Sequence, residues 1–272
     1  MMKHMTKNML IFGLGYTASF LRTALIEGGW QVTATQRGAG AYSMAFEDED
    51  AVLAAIKNAS FILSSVPPKN GTDPVLEKYG AAILDAAPQW SGYLSSTGVY
   101  GDVKGAWVDE HSPIGTGRRT DRAKADMAWQ NYGAHIFRLP GIYGPGRNML
   151  DRIIEGRAKK IDMPNQIFSR IHVQDIVAAI IKSFNRPNGV YNIGDNYPCS
   201  QNELVDYACQ LLGKPPPALL SLQQADLSPM AMGFYAENRR VSNMKAKRIL
   251  AWTPQFGDYR AGLLNCYQQD GY

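Results

Sequence analysis

Gly13, Gly15 and Ala18 follow a short apolar run, Leu10-Ile11-Phe12, at the spacing G-x-G-x-x-A. Glycine at 13 lets the chain turn sharply, glycine at 15 keeps side-chain atoms away from a pyrophosphate, and alanine at 18 allows a helix to pack closely on the strand. Apolar residues then recur at helical spacing, at Ala18, Leu21, Ala24 and Leu25, so a helix follows the turn. Its free N–H groups and positive dipole end suit phosphates. The chemistry this stretch could do is to hold a dinucleotide, with Tyr16 and Thr17 in the contact set.

About 20 residues past such glycines, a carboxylate usually takes the ribose 2′-hydroxyl of NAD. Here the segment reads Thr35-Gln36-Arg37. A hydroxyl and a guanidinium without a carboxylate suit a 2′-phosphate, so NADP is expected ahead of NAD. Ser64 and Ser65 end a later apolar run, where such sheets meet the phosphates and the nicotinamide ribose. Ser95-Ser96-Thr97-Gly98-Val99-Tyr100 ends another, and Pro140 follows a third. Arg118, Arg119 and Arg122 are candidates to grip an anionic substrate.

These residues need elements to position them. After a helix stop at Gly28-Gly29, a strand is predicted over 30–35, then a third strand over 42–46 with no room for a helix between them. Asp48-Glu49-Asp50 opens a helix, Phe61 to Val66 a buried strand, and Asp73-Pro74 a helix to about Ala87. A strand over 92–95 follows, then a loop into a polar helix carrying Arg118, Arg119, Arg122, Lys124 and Asp126, and a sixth strand over 134–139. Helices are predicted over 149–160, from about 172 to 184 and over 202–212, with a strand at 189–194. The alternation argues α/β, a Rossmann-type doubly wound parallel sheet with a smaller C-terminal substrate-capping part. The expected division is 1–147 as the dinucleotide-binding core, with 171–195 returning to it, and 148–170 plus 196–272 as the cap.

At 272 residues and 45% hydrophobic content the chain can bury a full core. The start, Met1 to Asn8, is too short and polar for a secretory segment, and no run approaches a membrane span. Cys199, Cys209 and Cys266 lack metal-ligand spacing and are too few for a disulfide framework, which fits a reducing cytoplasm. A net charge of +4 without a Lys/Arg block excludes a nucleic-acid tract and leaves a small-molecule partner. Both a monomer and a homodimer stay open. Met230, Met232 and Met244 read as cap residues rather than metal ligands.

GLGYTA, SSTGVYGD, RLPGIYGPGR, SRIHVQDI, GVYNIGD and ENRRVSNMKAKRILAWTP, in this order, resemble the extended short-chain dehydrogenase/reductase group, the NAD-dependent epimerase/dehydratase family. The likeness spans nearly the whole chain and is nearest the atypical GxGYTA branch. It implies a Rossmann fold, a nicotinamide cofactor and oxidoreductase or epimerase chemistry. Ser96 matches the residue that bonds the substrate hydroxyl, with Thr97 beside it. The family's Tyr-x-x-x-Lys pair is missing: one register puts Arg118 and Arg122 there, another Thr120 and Lys124. Tyr100 and Tyr143 are then the candidate substitute proton donors. Thr97-Gly98 stands where the dehydratase branch has Asp-Glu, which disfavours sugar-nucleotide dehydration. A catalytically silent NADP(H) binder that senses redox state is the rival reading. His172 and Asp175 are expected to be structural.

Overall fold

The computed structural model describes residues 7–272, so the expectation for residues 1–6 and for the side chain of Met230 falls outside the described residues. In chain order the elements begin β1 (Asn8–Phe12), α1 (Tyr16–Glu27), β2 (Gln31–Gln36), β3 (Met44–Ala45), α2 (Glu49–Asn58), β4 (Phe61–Ser64), α3 (Pro74–Ala86) and β5 (Trp90–Ser96). A short 3-10 turn over Thr97–Tyr100 precedes β6 (Trp107–Val108), α4 (Thr120–Asn131), β7 (His135–Leu139), β8 (Gly141–Tyr143), α5 (Met149–Ile154) and β9 (Lys160–Ile161). The chain ends with β10 (Arg170–His172), α6 (Val173–Ser183), β11 (Gly189–Asn192), α7 (Gln201–Leu211), β12 (Leu219–Leu220), α8 (Pro229–Tyr235), β13 (Arg240–Val241), α9 (Met244–Leu250) and α10 (Tyr259–Asp270).

Seven strands form one parallel sheet in the order β11-β7-β5-β4-β1-β2-β3, a Rossmann-type arrangement. The chain runs outward from β1 through β2 to β3 and then returns to β4 on the other side of β1. The strand order therefore reverses between β1 and β4, and ligands of such sheets bind beyond the carboxyl ends of strands at that point. No helix joins β2 to β3, as their short spacing predicts; a bridge between Gly40 and Ser43 turns the chain instead.

The chain divides into two compact units, one of residues 1–96, 120–138 and 180–191, the other of 97–119, 139–179 and 192–272. These cuts differ from the boundaries drawn on sequence: 97–119, 139–147, 171–179 and 192–195 group with the second unit. In the first unit, Leu10, Phe12, Ile62, Tyr93 and Ile136 pack with Val52 and Ile56 of α2, Val75, Tyr79 and Ile83 of α3, and Trp129 of α4. Alternation along the strands sends Phe61, Trp90, His135 and Phe137 to an aromatic layer completed by Trp30 and Phe184. Helix starts follow their capping residues: Asp48 accepts from the Ala51 N–H at 3.3 Å, and Asp73 accepts from Val75 and Leu76 at 3.0 Å each.

The second unit has its own core, in which Met149, Leu150, Leu204, Val205, Tyr259 and Leu263 pack around Cys199, Cys209 and Cys266. All three cysteines are free and buried, and none is bridged. Asp175 accepts from the N–H groups of Gln255 at 2.6 Å and Phe256 at 3.1 Å, a structural role.

Three expectations are corrected. The helix predicted over 149–160 stops at Ile154, because Gly156 takes a positive φ of 66° and Lys160 enters β9. Arg118 and Arg119 precede α4 instead of lying on it. The third strand shrinks to Met44–Ala45.

A buried ion pair anchors α4. Asp126 accepts from Arg138 at 3.0 Å and 2.8 Å, from Ser95 at 2.6 Å and from Gln130 at 2.8 Å, with the two charged side chains 0% and 3% exposed. Removing one partner strands the other charge in the interior. Asp126→Ala should therefore cost about 3–5 kcal/mol in urea denaturation, and the double variant Asp126→Ala/Arg138→Met should recover part of that loss.

Candidate functional site

Gly13 leaves β1 at φ +85°, and a Cβ there would lie 3.0 Å from Val66 Cγ2 and 3.1 Å from Ser65 Oγ. The turn is pinned from β2: the Thr35 carbonyl accepts from the N–H of Gly13 at 3.1 Å and of Leu14 at 3.0 Å. Thr35 Oγ1 also faces the Gly13 N–H at 3.3 Å, so this buried threonine braces the turn from within. Just past β4, Ser65 donates its hydroxyl to the Gly13 carbonyl, and its N–H bonds the Phe12 carbonyl at 2.9 Å. Gly13, Gly15, Tyr16, Thr17, Thr35, Ser64 and Ser65 are thus brought together where the strand order reverses.

Helix α1 starts after Gly15 with no side-chain cap and no acidic residue in its first turn. A Cβ built on Gly15 meets nothing within 4 Å. The space beside the helix start is therefore open, and only the absent side chain keeps it so. Ser64 Oγ, beneath the turn, is fully buried and has no hydrogen-bond partner. Tyr16 packs on Phe20 with ring centroids 5.1 Å apart, and Thr17 is buried. Arg37 is exposed on the bend past β2. Pro140 lies in the second unit, between β7 and β8.

Ser96 closes β5, half-buried, and Thr97 opens the following turn with its hydroxyl 3.5 Å from the Leu139 carbonyl. Tyr100 is 1% exposed, and its hydroxyl donates to Asn192 Oδ1 at 2.7 Å. Asn192 in turn gives its N–H to Glu110 at 2.8 Å, and burial holds the Glu110 carboxyl above the usual range. Tyr143 points its hydroxyl, buried and without a partner, at Gly262 of α10, where any side chain would collide with it. Burial pushes that phenol far up. Neither tyrosine offers solvent or ligand an open hydroxyl.

The arginines are also committed. Arg122 donates to the Tyr93 hydroxyl at 2.9 Å and to the Leu94 carbonyl at 3.3 Å. Burial nonetheless raises the Tyr93 phenol to about 12. Arg118 lies 3.6 Å from Glu237 and over the Phe234 ring, and Arg239 binds the same carboxylate at 3.0 Å. Arg118 and Arg122, the expected anion grips, thus each have partners within the protein. Asp126, Arg138 and Gln36 were not singled out as site supports from sequence. The available signal was a charged residue in the middle of the apolar strand Ala134 to Leu139. Among the described residues no cluster of His, Cys, Asp or Glu could hold a metal ion, and no helix is long and apolar enough to cross a membrane.

No protein-family model matches the chain, and no curated protein matches it. Among solved structures, a functionally unknown conserved protein from Silicibacter pomeroyi is 39% identical with a TM-score of 0.90, over 97% of this chain and 99% of that one. The ADP-L-glycero-D-manno-heptose-6-epimerase of Helicobacter pylori has a TM-score of 0.78 at 15% identity, over 98% and 97% of the two chains. A human epimerase family protein solved with NADPH has a TM-score of 0.77 at 17% identity, over 96% and 99%. At such identities the last two share the fold.

His172 is 0% exposed, receives the Gln174 N–H at 3.3 Å and packs 4.1 Å from the Phe256 ring centre, so burial lowers its pKa from 6.5 to about 4. Asp195 is 3% exposed with one oxygen unpartnered, and burial raises it from 3.8 to about 7. The two have opposite signs. Between pH 6.5 and 4 the unfolded chain protonates His172 first, so stability is lost as pH falls; Asp195 contributes stability at low pH that is lost as pH rises toward 7. Relative to the parent, His172→Asn should gain about 1.4 kcal/mol per pH unit on acidification from 6.5 to 4 in denaturant titrations. Asp195→Asn should gain on the parent in the other direction, from about pH 4 to 7.

Proposed function

We propose, from the premise that this chain belongs to one family with the functionally unknown Silicibacter pomeroyi protein and shares the fold of the epimerases, that it is an NAD(P)-dependent oxidoreductase or epimerase. In this reading it is of the extended short-chain type, acts on an alcohol or carbonyl carbon of a small molecule, and uses NADP ahead of NAD. One observation carries the reading: an uncapped helix start at the sheet's switch point, with open space where Gly15 lacks a side chain. Such a start, with no side-chain cap, presents the positive dipole end of α1, and a pyrophosphate suits it.

The residues present fit the cofactor. Gly13, Gly15, Tyr16 and Thr17 supply the backbone against which the pyrophosphate rests, Ser64 and Ser65 stand beside it, and Arg37 takes the adenosine end. The nicotinamide, when bound, supplies the hydride chemistry. Ser96, with Thr97 adjacent, holds the reacting oxygen by hydrogen bond. With Tyr100 and Tyr143 buried, neither of these phenols relays the proton, and it passes through the serine hydroxyl to water. The 10²–10⁴-fold rate factor typical of a positioned acid or base is then lost, so turnover is slow. Sugar nucleotides are the first substrates to try, the class named for the Helicobacter pylori enzyme.

Those same buried hydroxyls favour a second reading, a catalytically silent NADP(H) binder that reports redox state to a partner. Turnover of any sugar nucleotide, aldehyde or ketone that is abolished by Ser96→Ala establishes the enzyme; tight NADPH binding with no turnover across the panel leaves the sensor. The cofactor site has its own test. Gly15→Ala should change stability by less than about 1 kcal/mol, since the new Cβ meets nothing, yet weaken NADPH binding about tenfold or more in calorimetry. Gly13→Ala, strained at φ +85°, should lower stability as well.

A further inference from the structure

Two guanidinium groups, one on α1 and one in the bend after β2, have no carboxylate partner among the described residues. Arg22, on α1, lies 4.4 Å from the ring centre of Tyr42, in the bend after β2. Among the described residues it makes no hydrogen bond or ion pair, and its Nε is buried without an acceptor. Arg37, at the start of the same bend, is exposed and likewise makes none. Arg138 and Arg118, by contrast, are paired, with Asp126 and Glu237. A guanidinium over an aromatic ring covers its face and leaves its in-plane N–H groups directed outward, the geometry that takes a phosphate in bidentate fashion.

The bend that carries Tyr42 and Arg37 is fixed to the phosphate turn. Gln36 donates to the Leu14 carbonyl at 3.0 Å and accepts from the Ser43 hydroxyl at 2.7 Å, while Gly40 and Ser43 close the bend with a 2.9 Å backbone bond. Tyr42 itself is 66% exposed and its ring takes the Arg22 guanidinium, a stack that orders a long cation which would otherwise sample many rotamers.

We propose that Arg22 and Arg37 together receive the 2′-phosphate of NADP, and that Tyr42 is a positioning residue which holds Arg22 toward it. The inference rests on the cofactor reading above and assigns its specificity to an arginine outside the glycine motif and outside the end of β2.

Dissociation constants for NADPH and NADH, measured by calorimetry on the full chain, test it. The parent should bind NADPH at least about tenfold more tightly than NADH. Arg22→Gln and Tyr42→Ala should each cut that ratio by about tenfold with NADH affinity unchanged, and Tyr42→Phe, which keeps the ring, should preserve it. Thermal unfolding of each variant within a few degrees of the parent confirms that the loss is local. A parent that binds both dinucleotides equally, or an Arg22→Gln variant that weakens both alike, overturns this inference and leaves the cofactor site standing. Binding of neither dinucleotide overturns both.

Discussion

A helix start left without a side-chain cap, yet held rigidly at the end of a strand, is the constraint on which the rest of the first unit depends. Each N–H of that first turn has lost its helical acceptor by geometry. One carbonyl of Thr35 fixes the turn by taking the N–H groups of Gly13 and Leu14. Because β2 pairs with β1 residue for residue through Phe12 and Thr35, that carbonyl is itself placed by the sheet register. The sheet thus preorganises donors that would cost more to align when a ligand arrives.

Much of this was legible in the residues. A glycine needed for positive φ, a second needed for close approach and an alanine at packing distance are local demands, and local demands leave local marks. The missing helix between β2 and β3 was legible for the same reason, since chain length alone forbids it. Capping residues Asp48 and Asp73 announced α2 and α3 correctly. What stayed hidden depends on partners distant along the chain. That Tyr143 buries its hydroxyl against Gly262, or that Tyr100 meets Asn192, is decided by tertiary packing that no spacing near either tyrosine encodes. The helix after Met149 failed differently: its apolar pattern continued, but Gly156 stopped it.

Charged residues misled in a related way. In the sequence α4 looks like a solvated helix, with Arg122, Lys124 and Asp126 in close succession. In the fold Asp126 is wholly buried, satisfied by Arg138, Ser95 and Gln130, and the helix is fastened to β5 and β7 by charge as much as by Ala125 and Trp129. A buried ion pair is a weak source of net stability but a strong penalty on every arrangement that separates it, so it selects one register for α4.

That register decides what Arg122 can do. Set by Asp126, it places the guanidinium where it spans the Tyr93 hydroxyl and the Leu94 carbonyl, two acceptors of β5. A lysine ammonium is a compact point charge on a flexible stem and cannot reproduce that fixed fork. Nor does the pair work as an acid and its activator, because Tyr93 remains neutral, with a pKa near 12, even beside a permanent cation. Burial outweighs the arginine. Arg122 is therefore spent on holding β5, and β5 ends in Ser96. The arginine supports the serine's strand, and the end of β5 is positioned by a fork of hydrogen bonds instead of by apolar packing alone.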